Sequence, residues 1–214
     1  MDFPSRLDKQ HLNSSQMRII FEKLGFGQVK FEVDLDDFLG VEIFNKKLLY
    51  KAIDDLDKLD GWIIVFRVSA ESRNFSETEY LNNHYVGIRF MRDDIGPFIQ
   101  YADPTGVSIH DSVAKMIYSH PKLTHLDIYS SDLVLQYTNP SFDNGIFQLG
   151  GDDYDCGPLL AAVLILIESG VEGELKFGYT QSTQIGHMIR EILEERDITR
   201  DDVINSIEKL RKSI

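Results

Sequence analysis

The sequence contains one cysteine, Cys156, and its surroundings favour a chemical role for the thiol. Gly157 and Pro158 follow it and open an almost wholly apolar run, which predicts a buried helix over 157–169. Proline is favoured near a helix start because its missing N–H would have no helical partner there. The thiol would therefore lie at a helix N-terminus, where backbone N–H groups and the helix dipole stabilise a thiolate or an oxyanion. A free cysteine is also a common packing residue, so a nucleophile needs partners.

Among the six histidines, His84 is the best placed to act as the base that such a nucleophile needs. It opens a predicted strand after a polar loop, and catalytic groups are common where loops join rigid elements. Asp103 follows the next predicted strand. If the two strands form a hairpin with its turn at 93–97, His84 and Asp103 face each other at the open end. An Asp-Pro turn is the alternative role for Asp103, and we interpret His120 and His125 as surface residues.

The elements around these residues predict an α+β domain, in which a small mixed or antiparallel sheet packs against helices. Apolar periodicity and capping residues predict helices at 14–24, 45–59, 111–118, 157–169, 183–196 and 201–212. Ser14 or Ser15 is the expected cap of the first helix, and Thr199 of the last. Alternation and β-branched runs predict strands at 29–33, 62–68, 84–90, 98–101 and 133–137.

The 214 residues carry 22 Lys and Arg against 35 Asp and Glu, a net charge of −13. This charge argues against nucleic acid and anionic membranes as partners, since both require a basic surface. We expect no membrane span, because the longest apolar stretch is too short, and we expect no metal and no cofactor. The N-terminal segment lacks the apolar core of a secretory signal. A cytoplasmic location is expected, which would be the host cytosol for a secreted bacterial effector.

The order of the candidate residues resembles that of clan CE cysteine proteases, the group of the adenovirus endopeptidase and the ubiquitin-like proteases, including bacterial effector deubiquitinases. The family pattern is a histidine with an aromatic neighbour, an aspartate, a glutamine, and Cys-Gly opening the central helix. Here it is carried by His84-Tyr85, Asp103, Gln148 and Asp155-Cys156-Gly157. The resemblance covers about 62–170 and implies a papain-like core in permuted chain order. Papain-like enzymes themselves place Cys before His, so chain order excludes them.

The resemblance implies a thiol isopeptidase or protease that cleaves ubiquitin or a ubiquitin-like modifier after its C-terminal Gly-Gly. Cys156 would attack, His84 would carry the proton and Asp103 would orient the imidazole. The Gln148 amide and the Cys156 backbone N–H would bind the oxyanion. Gln148 stands eight residues before Cys156, further than is usual in the family, so a longer loop or a backbone donor is expected here. Tyr85, where the family usually has Trp, would line a narrow groove for the Gly-Gly tail.

Acidic residues cluster directly before the cysteine. Asp152, Asp153 and Asp155 are expected to bind arginines in the modifier's C-terminal tail, in agreement with the net charge of −13. The resemblance implies a single catalytic domain over 1–214. We expect an N-terminal helical substrate-docking region, a catalytic core and C-terminal helices, at 1–61, 62–170 and 171–214 respectively.

Two other functions are compatible with the same residues. An acetyltransferase could use the triad with acetyl-CoA, although related acetyltransferases more often carry Glu in the place of Asp103, and no basic cluster for the CoA phosphates is apparent. A binding module could keep the fold and hold a ubiquitin-like partner without turnover. The modifier, the chain linkage and the oligomeric state are left open by the sequence.

Overall fold

The computed structural model of the chain confirms the α+β class. It describes residues 12–31, 50–51, 53–54, 60–68, 84–106, 108–109, 111–130, 133–135, 155–171 and 175–212. A five-stranded sheet has, in spatial order, β1 (Val29–Phe31), β2 (Ile63–Val68), β3 (His84–Arg92), β4 (Pro97–Ala102) and β5 (Asp127–Ser130). The two outer pairings are parallel and the two inner ones antiparallel, so the sheet is mixed.

The α-helices with both ends among the described residues are α1 (Ser14–Lys23), α2 (Asp111–Tyr118), α3 (Cys156–Glu168), α4 (Tyr179–Arg190) and α5 (Arg200–Arg211). Two short parallel strands, β6 (Leu133–Val134) and β7 (Leu175–Lys176), form a second sheet. Of the helix predicted at 45–59, the structure describes residues 50, 51, 53 and 54, which are helical. None of the helices in the described part of the chain is both long and apolar enough to cross a membrane.

The predicted hairpin between β3 and β4 is confirmed. Its turn is closed by Asp93, whose Oδ1 accepts hydrogen bonds from the backbone N–H groups of Ile95 at 2.8 Å and Gly96 at 2.9 Å. Gly96 has φ 150°, a conformation that favours glycine. The antiparallel register pairs Gly87 with Ala102. Residues just before Gly87 and just after Ala102 therefore meet at the open end of the hairpin.

Helix α3 lies in the middle of the fold, as its apolar sequence predicts. Every residue from Cys156 to Leu166 is buried. The helix crosses the sheet at Gly87, where an added Cβ would lie 3.4 Å from the Leu160 side chain. Pro158 is the third helical residue, a position whose N–H would have no acceptor within the helix. The sequence thus explains both the burial of α3 and the residue at which the helix begins.

Two apolar cores lie on opposite faces of the sheet, because side chains alternate along each strand. Tyr85, Ile63 and Ala102 face the core that contains α3, with contributions from α1, α4 and α5. Val86 and Ile88 face the second core, to which α2 contributes Ile117. Helices α1, α4 and α5 therefore share one core with α3, whereas Ile53, in the helical residues before β2, belongs to the second core.

Three local predictions differ from the structure. Helix α1 is capped by Asn13, not by Ser14 or Ser15. The Asn13 side chain accepts from the Gln16 backbone N–H, and the Gln16 side chain accepts from the Asn13 backbone N–H, which forms a capping box. Helix α4 begins at Tyr179, earlier than predicted, and continues into a 3₁₀ turn at Glu191–Glu194. Strands β5 and β7 were not predicted. The Thr199 cap of α5 is confirmed, since its side chain accepts from the Asp202 backbone N–H.

Candidate active site

The open end of the hairpin brings His84 and Asp103 together. His84 Nε2 lies 3.0 Å from Asp103 Oδ1, and each residue is only 1% exposed. A carboxylate can only accept, so Nε2 carries the proton in this hydrogen bond. The lone pair of a neutral His84 imidazole is then on Nδ1, which is the nitrogen able to accept a proton from a nucleophile.

Asp103 is fixed by the turn that follows it. Its Oδ1 accepts hydrogen bonds from the Thr105 backbone N–H at 2.9 Å and from the Thr105 hydroxyl. The Tyr101 hydroxyl donates to Oδ2 at 3.3 Å. Gly106, with φ 67°, lets the chain turn so that its N–H donates to the Asp103 carbonyl at 2.9 Å. The carboxylate is therefore held in one orientation towards His84.

Cys156 completes the cluster as the first residue of α3. Its side chain interacts with the imidazole of His84 and contributes to raising the pKa of that histidine. Burial is the largest influence on the pKa of His84 and lowers it, but the charge and hydrogen bond of Asp103 and then the interactions with Cys156 outweigh burial. Together they raise the pKa of His84 from 6.5 to about 9. The imidazole is consequently protonated at neutral pH.

A protonated imidazole beside a thiol has a direct chemical consequence. Its positive charge attracts the sulfur in its thiolate form, and the dipole of α3 acts in the same direction at Cys156. The arrangement can therefore hold a thiolate–imidazolium pair, with Asp103 balancing the imidazolium charge. Cys156 is only 1% exposed, so a substrate needs a path to its sulfur.

Two of the predicted substrate-binding residues are buried. Asp155 is 4% exposed, and its Oδ1 accepts a hydrogen bond from Arg190 Nε at 2.7 Å. Its carboxylate is thus paired within this chain, which corrects the expectation that it faces an arginine of a partner. Tyr85 is 3% exposed and donates its hydroxyl proton to the Leu12 carbonyl at 2.9 Å. Its ring lies beside Gly157 in the α3 core, rather than along an open groove.

The remaining predicted site residues, Gln148, Asp152 and Asp153, lie outside the described residues, and their roles stay predictions. Sequence reasoning missed Thr105 and Arg190. The Asp-Pro-Thr order was a usable signal for Thr105, since an aspartate commonly accepts from the N–H two residues later.

The expectation for His120 was wrong, because this histidine is 3% exposed. His125 is exposed, as predicted. Within the described part of the chain, no group of three or more His, Cys, Asp or Glu side chains could hold a metal ion. No protein-family model matches the chain, and no curated protein matches its sequence.

Proposed function

We propose that the protein is a thiol isopeptidase or protease that uses Cys156, His84 and Asp103 to cleave after the C-terminal Gly-Gly of ubiquitin or a ubiquitin-like modifier. The observation that carries the proposal is the buried 3.0 Å hydrogen bond between His84 and Asp103, with Cys156 interacting with the same imidazole. This combination supports acyl transfer from a thiolate nucleophile. The choice of a modifier as the acyl group rests on the resemblance to clan CE proteases.

The proposed reaction has two halves. The Cys156 thiolate attacks the carbonyl carbon of the terminal glycine, and the resulting oxyanion accepts hydrogen bonds from backbone N–H groups at the start of α3. The imidazolium of His84 gives its proton to the leaving amine, and a thioester remains on Cys156. A water molecule then attacks the thioester while His84 takes its proton, which releases the modifier carboxylate and regenerates the thiolate.

A panel of ubiquitin and ubiquitin-like proteins with C-terminal electrophiles tests the proposal. Because the chain has one cysteine, labelling of the wild type and its loss in Cys156→Ala would identify the nucleophile without peptide mapping. His84→Ala should label far more slowly than the wild type. A folded wild-type protein that reacts with no member of the panel would contradict the proposal, and incubation with labelled acetyl-CoA would test the acetyltransferase alternative.

Burial of the site favours one second candidate. Cys156, His84 and Asp103 are each 1% exposed, and a module that only binds a ubiquitin-like partner would not need an open route to the sulfur. Such a module should bind its partner equally well as wild type and as Cys156→Ala, with no turnover by either. Isothermal titration with the modifiers of the same panel would separate this function from the isopeptidase.

A further inference from the structure

We infer that Arg190 is a positioning residue for the Cys156 nucleophile and acts through Asp155, the residue directly before the cysteine. The inference deepens the proposed function and rests on it for its biological meaning. Its physical content is that Arg190 neutralises the carboxylate of the residue directly before the nucleophile.

Arg190 and Asp155 form a buried ion pair. Arg190 Nε lies 2.7 Å from Asp155 Oδ1, and the two side chains are 2% and 5% exposed. Arg190 is the last residue of α4, so this contact ties the end of one helix to the beginning of α3. A buried charge without a partner is costly, and each member of the pair therefore depends on the other.

The backbone of α4 is shaped for the same contact. Gly186 lies one helical turn before Arg190, on the same face of the helix. A Cβ at Gly186 would lie 2.6 Å from Asp155 Cγ and 2.8 Å from its Oδ2. Any side chain at this position would displace the carboxylate. Gly186 thus leaves space for the Asp155 carboxylate, and Arg190 forms the ion pair with it.

The ion pair has a consequence for the start of α3. Asp155 is in the N-cap position, where an aspartate ordinarily accepts a hydrogen bond from an N–H of the first turn. Asn13 and Thr199 do this at α1 and α5, whereas Asp155 makes no side-chain capping bond. Its carboxylate binds Arg190 instead. The Asp155 side chain therefore does not occupy the backbone N–H groups in the first turn of α3. These are the groups that the proposed reaction uses to bind the oxyanion.

The charges around the sulfur give the expected sign of the effect. Among the described residues, two ion pairs involve neighbours of Cys156: His84 from β3 with Asp103 after β4, and Asp155, directly before the cysteine, with Arg190 from α4. Without Arg190, the Asp155 carboxylate would oppose the thiolate of Cys156. Without the Asp155 charge, Arg190 would favour the thiolate more strongly than in the wild type.

A titration of the single cysteine tests this inference without any substrate. We would label cysteine with ¹³C at Cβ and follow its one NMR signal against pH in the full-length protein. In Arg190→Met, the midpoint of the thiol–thiolate transition should move up by about one pH unit, and in Asp155→Asn it should move down. The double variant Asp155→Asn/Arg190→Met should return to within a few tenths of the wild type.

Arg196→Met provides the matched control, because Arg196 pairs with Glu191 at 3.0 Å on the surface and is 61% exposed. It should leave the midpoint unchanged. Loosened packing would move the midpoints of both single variants in the same direction. Opposite shifts of the two midpoints therefore indicate an effect of charge. Shifts of the same sign, or no shift, would overturn the inference.

Asp155→Asn keeps the shape and an acceptor for Arg190, so it decides the question even if Arg190→Met does not fold. An unmoved midpoint in that variant alone is sufficient to reject the role of Arg190. Failure of the proposed function is a separate result, namely a wild type that shows these shifts and yet reacts with none of the modifier electrophiles.

Discussion

Two histidine–aspartate pairs in this protein have nearly the same hydrogen-bond length and different surroundings. His84 Nε2 lies 3.0 Å from Asp103 Oδ1, and His120 Nε2 lies 3.1 Å from Asp54 Oδ1. Asp103 is 1% exposed, whereas Asp54 is 65% exposed. By distance alone the two pairs could not be told apart.

A second interaction of each imidazole separates the two pairs. His120 Nδ1 accepts a hydrogen bond from the Lys122 backbone N–H at 3.2 Å, so both of its nitrogens have hydrogen-bond partners other than a cysteine. His84 instead interacts with the side chain of Cys156. A buried acid and an interacting thiol make an imidazole able to transfer a proton, and we expect only the His84 pair to act in chemistry.

The largest expected effect is the loss of activity on substitution of His84. His84→Ala should lower the turnover of a modifier substrate found by the electrophile panel on the order of 10³-fold, because the proton carrier is removed. His120→Ala should leave turnover within about threefold. It should instead lower the free energy of unfolding by about 1–3 kcal/mol, since a buried hydrogen-bonded side chain is lost.

Steady-state kinetics and urea unfolding of both variants check this difference. A large loss of turnover in a well-folded His120→Ala would show that the interaction with Cys156 does not distinguish the pairs. A fully active His84→Ala would remove the histidine from the mechanism altogether.

The next largest expected effect is on the pH dependence of the free energy of unfolding. The pKa of His84 is raised from 6.5 to about 9 in the folded protein. The stabilisation from its protonation is therefore complete below pH 6.5 and is lost as the pH rises through about 9. Asp103→Asn removes a main cause of the raised pKa, so the free energy of unfolding should fall less between these two pH values than in the wild type.

Urea unfolding at several pH values, with the His84 ring signals followed by NMR, would measure this dependence. Asp54→Asn is the matched control, because its carboxylate is largely exposed and its hydrogen bond to His120 has almost the same length. It should keep the pH dependence of the wild type. An Asp103→Asn variant with an unchanged dependence would refute the link between Asp103 and the charge of His84.

The sequence predicts the parts of the site that depend on local patterns. Alternation before a Gly-Pro turn predicts the β3–β4 hairpin, and the register then requires residues 84 and 103 to meet at its open end. An apolar run after Cys156 predicts a buried helix that begins at the cysteine. These signals lie within single elements, so no tertiary information is needed to interpret them.

The parts that could not be predicted depend on contacts between distant segments. Asp155 and Arg190 are 35 residues apart, and a polar residue in an amphipathic helix is ordinarily exposed. His120 is buried, and the Asp54 side chain to which it is hydrogen-bonded is 66 residues away. At α1, three cap-forming residues occur in succession, and the reciprocal bond from Gln16 selects Asn13. Strand β5 is a four-residue edge strand in which no residue is fully buried. Its alternation of apolar and polar residues is therefore too weak to predict a strand.

The smallest expected effect comes from the hydroxyl of Tyr101. It donates to Asp103 Oδ2 at 3.3 Å, a long bond on the oxygen that does not bind His84. Tyr101→Phe removes one of several donors to Asp103 and keeps the packing of the ring, so turnover should fall by no more than about threefold. Thr105 holds the other oxygen through two bonds and should keep the carboxylate in place. A fall as large as that of Asp103→Asn would mean that the orientation of this carboxylate depends on Oδ2, and that the turn at Thr105 is not sufficient to fix it.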